Sequence, residues 1–197
     1  MLVVEASWRR RELVEDLSLH ILDIIENSIA AGATSIEVQI EERITENLLI
    51  IKIKDNGKGM DKRKLVKALD PFYTTKKTRS VGLGLSMLAQ ASQEADGSFE
   101  IKSKPGQGTQ ITAQFVYNHI DRKPLGNMAE TIVACLVSLG PGTDLRYRHC
   151  KDNNEFVFDT NEIKKVLSGV AINDAEIIFF LKQHIEEGLS AITKKEQ

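Results

Sequence analysis

The sequence predicts an α+β protein: a two-layer α/β sandwich with helices on one face of a largely antiparallel sheet, followed by a small C-terminal α/β unit. Three observations predict it. Helical periodicity alternates with pairs of short strands rather than with single strands, the pattern of antiparallel pairing and not of a doubly wound parallel sheet. Each pair is joined by a short polar or glycine-bearing turn. The chain then changes character after Asn118, where Pro124 and Gly126 mark a boundary.

Leu13–Ala31 reads as the first helix, because Leu17, Ile21, Leu22, Ile24, Ile25 and Ile29 make a broad apolar stripe that Gly32 ends. Ser35–Glu41 alternates through Ile36, Val38 and Ile40, and Leu48–Lys54 repeats the pattern with Leu49, Ile51 and Ile53. These are two strands, joined through a polar Glu42–Asn47 turn. Asp55–Met60 is a glycine loop, and Asp61–Leu69 a short helix with Asp61 as its cap. Pro71–Val81 is polar and basic without periodicity. A helix over Gly82–Glu94 precedes strands Ser98–Ser103 and Thr109–Tyr117, which a Pro-and-Gly turn at 105–108 connects. Beyond the boundary come a helix (Asn127–Leu139), two strand-like runs (Leu145–Cys150, Glu155–Phe158) and two helices (Asn161–Leu167, Asp174–Ile192). The division expected is an N-terminal extension (1–16), a main domain (17–120) and a small unit (121–197) whose core would draw on Phe156, Phe158, Phe179 and Phe180.

Composition narrows the function. The 197 residues carry a formal net charge of −2 and 42% hydrophobic residues, which argues for a soluble protein and against a whole-chain nucleic-acid binder. Nothing approaches the roughly 18 apolar residues of a membrane span. Arg9–Arg11 are not followed by the apolar segment of a signal peptide. Cys135 and Cys150 form no metal framework and fit a reducing compartment. The expected location is the cytoplasm, with no membrane or nucleic-acid partner.

Three segments can carry chemistry. Asp23 and Asn27 stand four apart on one helix face, with His20 on the same stripe. A carboxylate and an amide so placed can hold a divalent cation through oxygen, or they can be a helix edge meeting solvent. Asp55-Asn56-Gly57-Lys58-Gly59-Met60 follows an apolar strand. Its glycines let the chain turn sharply and let a flat ligand approach, and Asp55 is an acceptor suited to an exocyclic amine. Alone this is equally a strand-to-turn signal. Gly82-Leu83-Gly84-Leu85-Ser86 opens a helix, whose free amides and positive dipole end suit phosphate, with Lys76, Lys77 and Arg79 just before it. Alone it is equally a glycine-rich helix start beside a solvated charge run.

In order along the chain, Asn27, Asp55/Gly57/Gly59, Phe72/Thr74/Thr75/Lys76, Gly82/Gly84 and Gly108-Thr109 resemble the GHKL superfamily of DNA gyrase, heat-shock chaperones, sensor histidine kinases and MutL. Asp23–Ser28 through Ala33 resembles the N box in its MutL wording, and Asp55–Met60 the G1 box. Pro71–Lys76 resembles the F box of histidine kinases, and Gly82–Ser86 their G2 box. The resemblance spans about Leu17–Tyr117 and implies a Bergerat fold binding ATP and Mg2+. It implies Asn27 as the magnesium ligand, and Asp55 on the adenine amine through a water shared with Thr109. Gly57, Gly59 and Met60 would frame the base. Phe72, Thr75 and Lys76 would belong to a short lid, with Lys76 reaching the terminal phosphate. Gly82, Leu83, Gly84, Leu85 and Ser86 would form the phosphate-binding helix start.

The pattern departs from the family in two places. The ATPase branches place a glutamate four residues before the magnesium Asn; here Asp23 stands there, one methylene shorter, as a water-orienting base or as a ligand of magnesium-bound water. A histidine kinase needs an acceptor helix pair, for which the residues before the first helix leave no room. His119-Ile120-Asp121-Arg122-Lys123-Pro124 only faintly resembles an acceptor motif and reads as a linker histidine.

The expected function is a stand-alone kinase-like protein phosphorylating a partner in trans. The alternatives are a slow ATPase that gates partner docking or homodimer formation, and a non-catalytic nucleotide-binding scaffold. The chain as a whole is similar to stand-alone ATP-binding proteins of anaerobic bacteria, some encoded beside iron hydrogenases, which implies a hydrogenase-associated partner.

Overall fold

The computed structural model describes residues 16–69 and 84–194. In chain order these form α1 (Leu17–Ala30), β1 (Ser35–Arg43), β2 (Leu48–Asp55), α2 (Lys62–Ala68), α3 (Gly84–Glu94), β3 (Ser98–Ser103), β4 (Thr109–Val116), α4 (Met128–Ser138), β5 (Asp144–Lys151), β6 (Asn154–Asp159), α5 (Thr160–Leu167) and α6 (Ala175–Lys194). Helix starts follow their caps: Asp16, Asp61 and Asn127 each accept the amide three residues on, at 3.3, 2.9 and 3.2 Å.

Among the described residues the strands make one six-stranded sheet in the order β3-β4-β2-β1-β5-β6. All neighbours are antiparallel except β1 and β5. One face is apolar because strand side chains alternate. Ile36, Val38 and Ile40 of β1, Leu49, Ile51 and Ile53 of β2, Ile111, Ala113 and Phe115 of β4, and Leu145 and Tyr147 of β5 are all buried. Against them lie α3, α1, α4 and α6, each touching the next in that order, so a single core runs under all four helices. The opposite face carries ion pairs, including Lys52–Glu41–Arg43 and Arg148–Glu155.

This differs from the expected division at residue 120. The β5–β6 hairpin does not start a second sheet; it continues the first along the edge of β1, from Ser35↔Asp144 to Glu42↔Lys151. The reason is physical. β1 otherwise ends the sheet with a row of unpaired amides and carbonyls, and Leu145 and Tyr147 need an apolar layer to bury against. The crossover from β4 runs through α4, which is what a parallel pair requires. Two smaller expectations are corrected as well. Glu42 and Arg43 belong to β1 rather than to the turn. Phe179 and Phe180 are 60% and 64% exposed, because Leu181 and Ile185 take the inward stripe of α6 and the two preceding positions point elsewhere around the helix.

The end of the sheet where β1 finishes holds a closed polar network. His149 Nε2 donates to Glu42 Oε1 (2.8 Å), the Tyr147 hydroxyl bonds His149 Nδ1 (2.8 Å), and the Tyr117 hydroxyl donates to Glu42 Oε2 (3.0 Å). Burial pushes the Glu42 carboxyl up, but the bonds from His149 and Tyr117 and the charge of Lys151 outweigh it and leave it below its ordinary value. Burial raises the Tyr147 phenol well above its usual range. The Cys135 thiol is pushed up to about 12 by burial and is inert.

Candidate functional site

The opposite end, where β2 finishes and β1 and β4 begin, gathers the motif residues. Asp23 and Asn27 lie one turn apart on α1, and Asn27 Nδ2 donates to Asp23 Oδ2 at 3.2 Å. The same oxygen accepts the Gly84 amide, the first of α3, at 2.9 Å. Gly84 must be glycine for this approach, since a Cβ there would stand 2.5 Å from Asp23 Oδ2. With its NH2 turned to Asp23, Asn27 directs its carbonyl oxygen away from that carboxylate.

Asp55 ends β2 and is 8% exposed. Each of its carboxylate oxygens meets one donor: the Gly57 amide on Oδ1 (2.8 Å) and the Ser28 hydroxyl on Oδ2 (3.1 Å). A carboxylate oxygen accepts more than one hydrogen bond, so capacity remains on both. The loop after it is held from three sides. Asn56 Oδ1 accepts the amides of Thr34 and Ser35 (2.8 and 2.9 Å), the Lys58 amide donates to Ala31 O (3.0 Å), and the Gly106 amide to Lys58 O (2.8 Å). Gly59 has φ +62° and would place a Cβ 2.0 Å from Lys104 O. Any side chain here costs both the left-handed conformation and the contact with the β3–β4 turn.

Thr109, the first residue of β4, is the cross-strand partner of Asp55. Its hydroxyl lies 3.0 Å from Ser103 Oγ, which also accepts the Met60 amide (2.8 Å) and donates to Gly108 O (2.9 Å).

Two clusters thus adjoin: Asp23, Asn27 and Gly84 on one side, and Asp55, Gly57, Gly59, Met60 and Thr109 on the other, with Ser28 linking α1 to Asp55. Leu85 packs in the core and Ser86 is buried in the first turn of α3. Phe72, Thr75, Lys76, Gly82 and Leu83 lie outside the described residues. His20 is buried at 4% exposure, as a packing residue of α1. His119 sits in the linker, 3.2 Å from Asp96. Motif reading did not single out Ser28, Asn56 or Ser103. Only Ser103 had a usable signal, as it faces Thr109 across a recognisable hairpin. Among the described residues no three His, Cys, Asp or Glu side chains converge as a metal cage, and no helix is long and apolar enough to cross a membrane.

A helical layer over one face of a mixed sheet, with glycine loops at one end of the strands, is an α+β fold of the GHKL ATPase kind. The family of histidine kinase-, DNA gyrase B-, and HSP90-like ATPases matches residues 12–119, and the chain belongs to it. A putative sensor protein of Shewanella frigidimarina is 36% identical over 97 residues, which are 48% of this chain and 15% of that protein. Sporulation kinase C of Bacillus subtilis is 36% identical over 88 residues, 45% of this chain and 20% of the kinase. The DNA mismatch repair protein MutL of Gemmatimonas aurantiaca is 32% identical over 111 residues, 52% of this chain and 18% of that protein. The chain therefore spans a fifth or less of the length of these relatives. Family membership implies ATP binding.

Proposed function

We propose that the chain binds magnesium–ATP between α1, the 55–60 loop and the start of α3, and acts in the cytoplasm as a kinase-like module that passes phosphate to a separate protein. The observation that carries the ATP half is Asp55: a nearly buried carboxylate with one donor per oxygen, at the end of a strand and followed by a glycine turn. It would accept from the adenine amine, with Thr109 beside it and Gly57, Gly59 and Met60 framing the base. Asn27 suits the cation side, because the carbonyl end of its amide is the end not given to Asp23. Magnesium would be completed by water and phosphate oxygens, and it would supply charge neutralisation along the phosphates. The amides of Gly82, Leu83 and Gly84 would donate to those phosphates at the positive end of α3, with Leu85 and Ser86 fixing that first turn. Phe72, Thr75 and Lys76 would close over them.

Transfer to another molecule is supported by the kinase relatives and by where the histidines sit. His20 and His149 are buried, His119 bonds Asp96, and His184 lies against Phe156 and Phe158. The partner to look for is a hydrogenase-associated protein. Titration with a non-hydrolysable ATP analogue and magnesium tests binding, and labelled ATP with host lysate tests transfer. Binding without any labelled protein would leave the ATP site and remove the kinase.

A second reading, a slow ATPase that gates docking or dimer formation, is favoured by Asp23 beside Asn27 and by the MutL relative. It expects Asp23→Asn to stop phosphate release while sparing nucleotide affinity. A wild type that releases no phosphate above background would rule it out.

A further inference from the structure

We infer that Ser28 and Ser103 are positioning residues that make the base pocket selective for a 6-amino purine, an inference that rests on the ATP reading above. A carboxylate held at one oxygen can rotate about its Cβ–Cγ bond; one held at both cannot. Gly57 holds Oδ1 of Asp55, and the Ser28 hydroxyl, on α1 beside Asn27, holds Oδ2. Ser28 Oγ also lies 3.1 Å from Ile24 O, the usual resting bond of a helical serine. The charged acceptor is the stronger of the two and draws the proton toward Asp55.

Ser103 does the corresponding work on the other side. It accepts the Met60 amide, and its one proton serves Gly108 O. The 3.0 Å contact with Thr109 is then a bond in which Thr109 donates. Both hydroxyl protons are directed into the protein, so Asp55 and Thr109 present only lone pairs to the pocket. An all-acceptor edge matches an amine and repels a carbonyl. Adenine carries the amine at that position; hypoxanthine and guanine carry a carbonyl.

Calorimetric titration with ADP and with inosine diphosphate, in magnesium, separates this role from a structural one. The wild type should prefer ADP by about 100-fold, and Ser28→Ala or Ser103→Ala should reduce that preference roughly tenfold while inosine diphosphate binding stays within about twofold. Ser28→Thr, which keeps the donor, should retain the wild-type ratio. Equal weakening of both nucleotides, or an unchanged ratio, overturns the inference and leaves ATP binding standing. A wild type that binds ADP but shows no preference does the same. If the wild type binds neither nucleotide, the ATP reading falls as well. Should Ser28→Ala not fold, Ser28→Cys keeps the volume with a weak donor and reads the same ratio.

Discussion

Both ends of the central strands carry a carboxylate with one donor on each oxygen, and they differ in the polar groups that stand beside it. At the far end Glu42, His149, Tyr147 and Tyr117 close on one another, with a partner on every polar side-chain atom. At the near end the Asp55 carboxylate is bonded in the same way, one donor per oxygen, but Asn27 one turn of α1 from Asp23 gives up only its NH2. Glu42 and His149 line a cleft of ≈ 480 Å³ with Met128, Leu189 and Ile192, although their own side chains are bonded to one another. What separates the two ends is the Asn27 amide oxygen, which the bond to Asp23 does not use. A saturated network stabilises a fold, whereas an unsaturated one held rigid can recognise a ligand.

The sharpest way to break this comparison is to open the far network. His149→Ala leaves the Glu42 carboxylate without its cationic or N–H partner and should cost roughly 3 kcal/mol of unfolding free energy. Urea denaturation would read that loss, and nucleotide affinity should stay within about twofold because the site lies at the other end of the strands. Asp55→Asn should give the converse. It retains an acceptor for Gly57 but sets an NH2 against Ser28 and the adenine amine, so ADP affinity should fall about 100-fold by calorimetry.

Gly59→Ala should show a smaller effect on both measures, destabilising by about 1–2 kcal/mol through its positive φ and its clash with Lys104 O. The smallest expected signal is in pH. The folded Glu42 carboxyl lies below its reference value of 4.5, so it adds stability above that pH and loses the contribution as pH falls through the depressed folded value. Glu42→Gln should flatten that acid limb; an identical pH profile for both proteins would show that Glu42 is not its source.

The element pattern was largely legible in the sequence because it rests on local periodicity. Ile36, Val38 and Ile40 announce a strand, and Asp61 and Asn127 announce helix starts, without help from distant residues. The position of β5 was not legible. Its pairing with β1 is decided by which edge lies open and which apolar layer remains to be covered, and neither is written in Leu145–Cys150. The candidate site divides the same way. Asn27, Asp55 and Thr109 stand in recognisable motifs, whereas Ser28 and Ser103 gain their roles only from what lies across from them. Phe179 and Phe180 misled because hydrophobicity alone does not say which side of α6 is inward.

The parallel join of β1 to β5 also has a consequence for how the chain is made. Leu145, the partner of Ile36, leaves the ribosome roughly a hundred residues later. At ordinary rates of synthesis, that is a delay on the order of ten seconds. For that interval β1 is a bare edge in a nascent protein, open to pairing with any extended segment nearby. Glu37, Glu41, Glu42 and Arg43 lie along that strand. Glu41, Glu42 and Arg43, which in the finished sheet form ion pairs and the His149 bond, are charges of the kind that discourages pairing along an open strand edge.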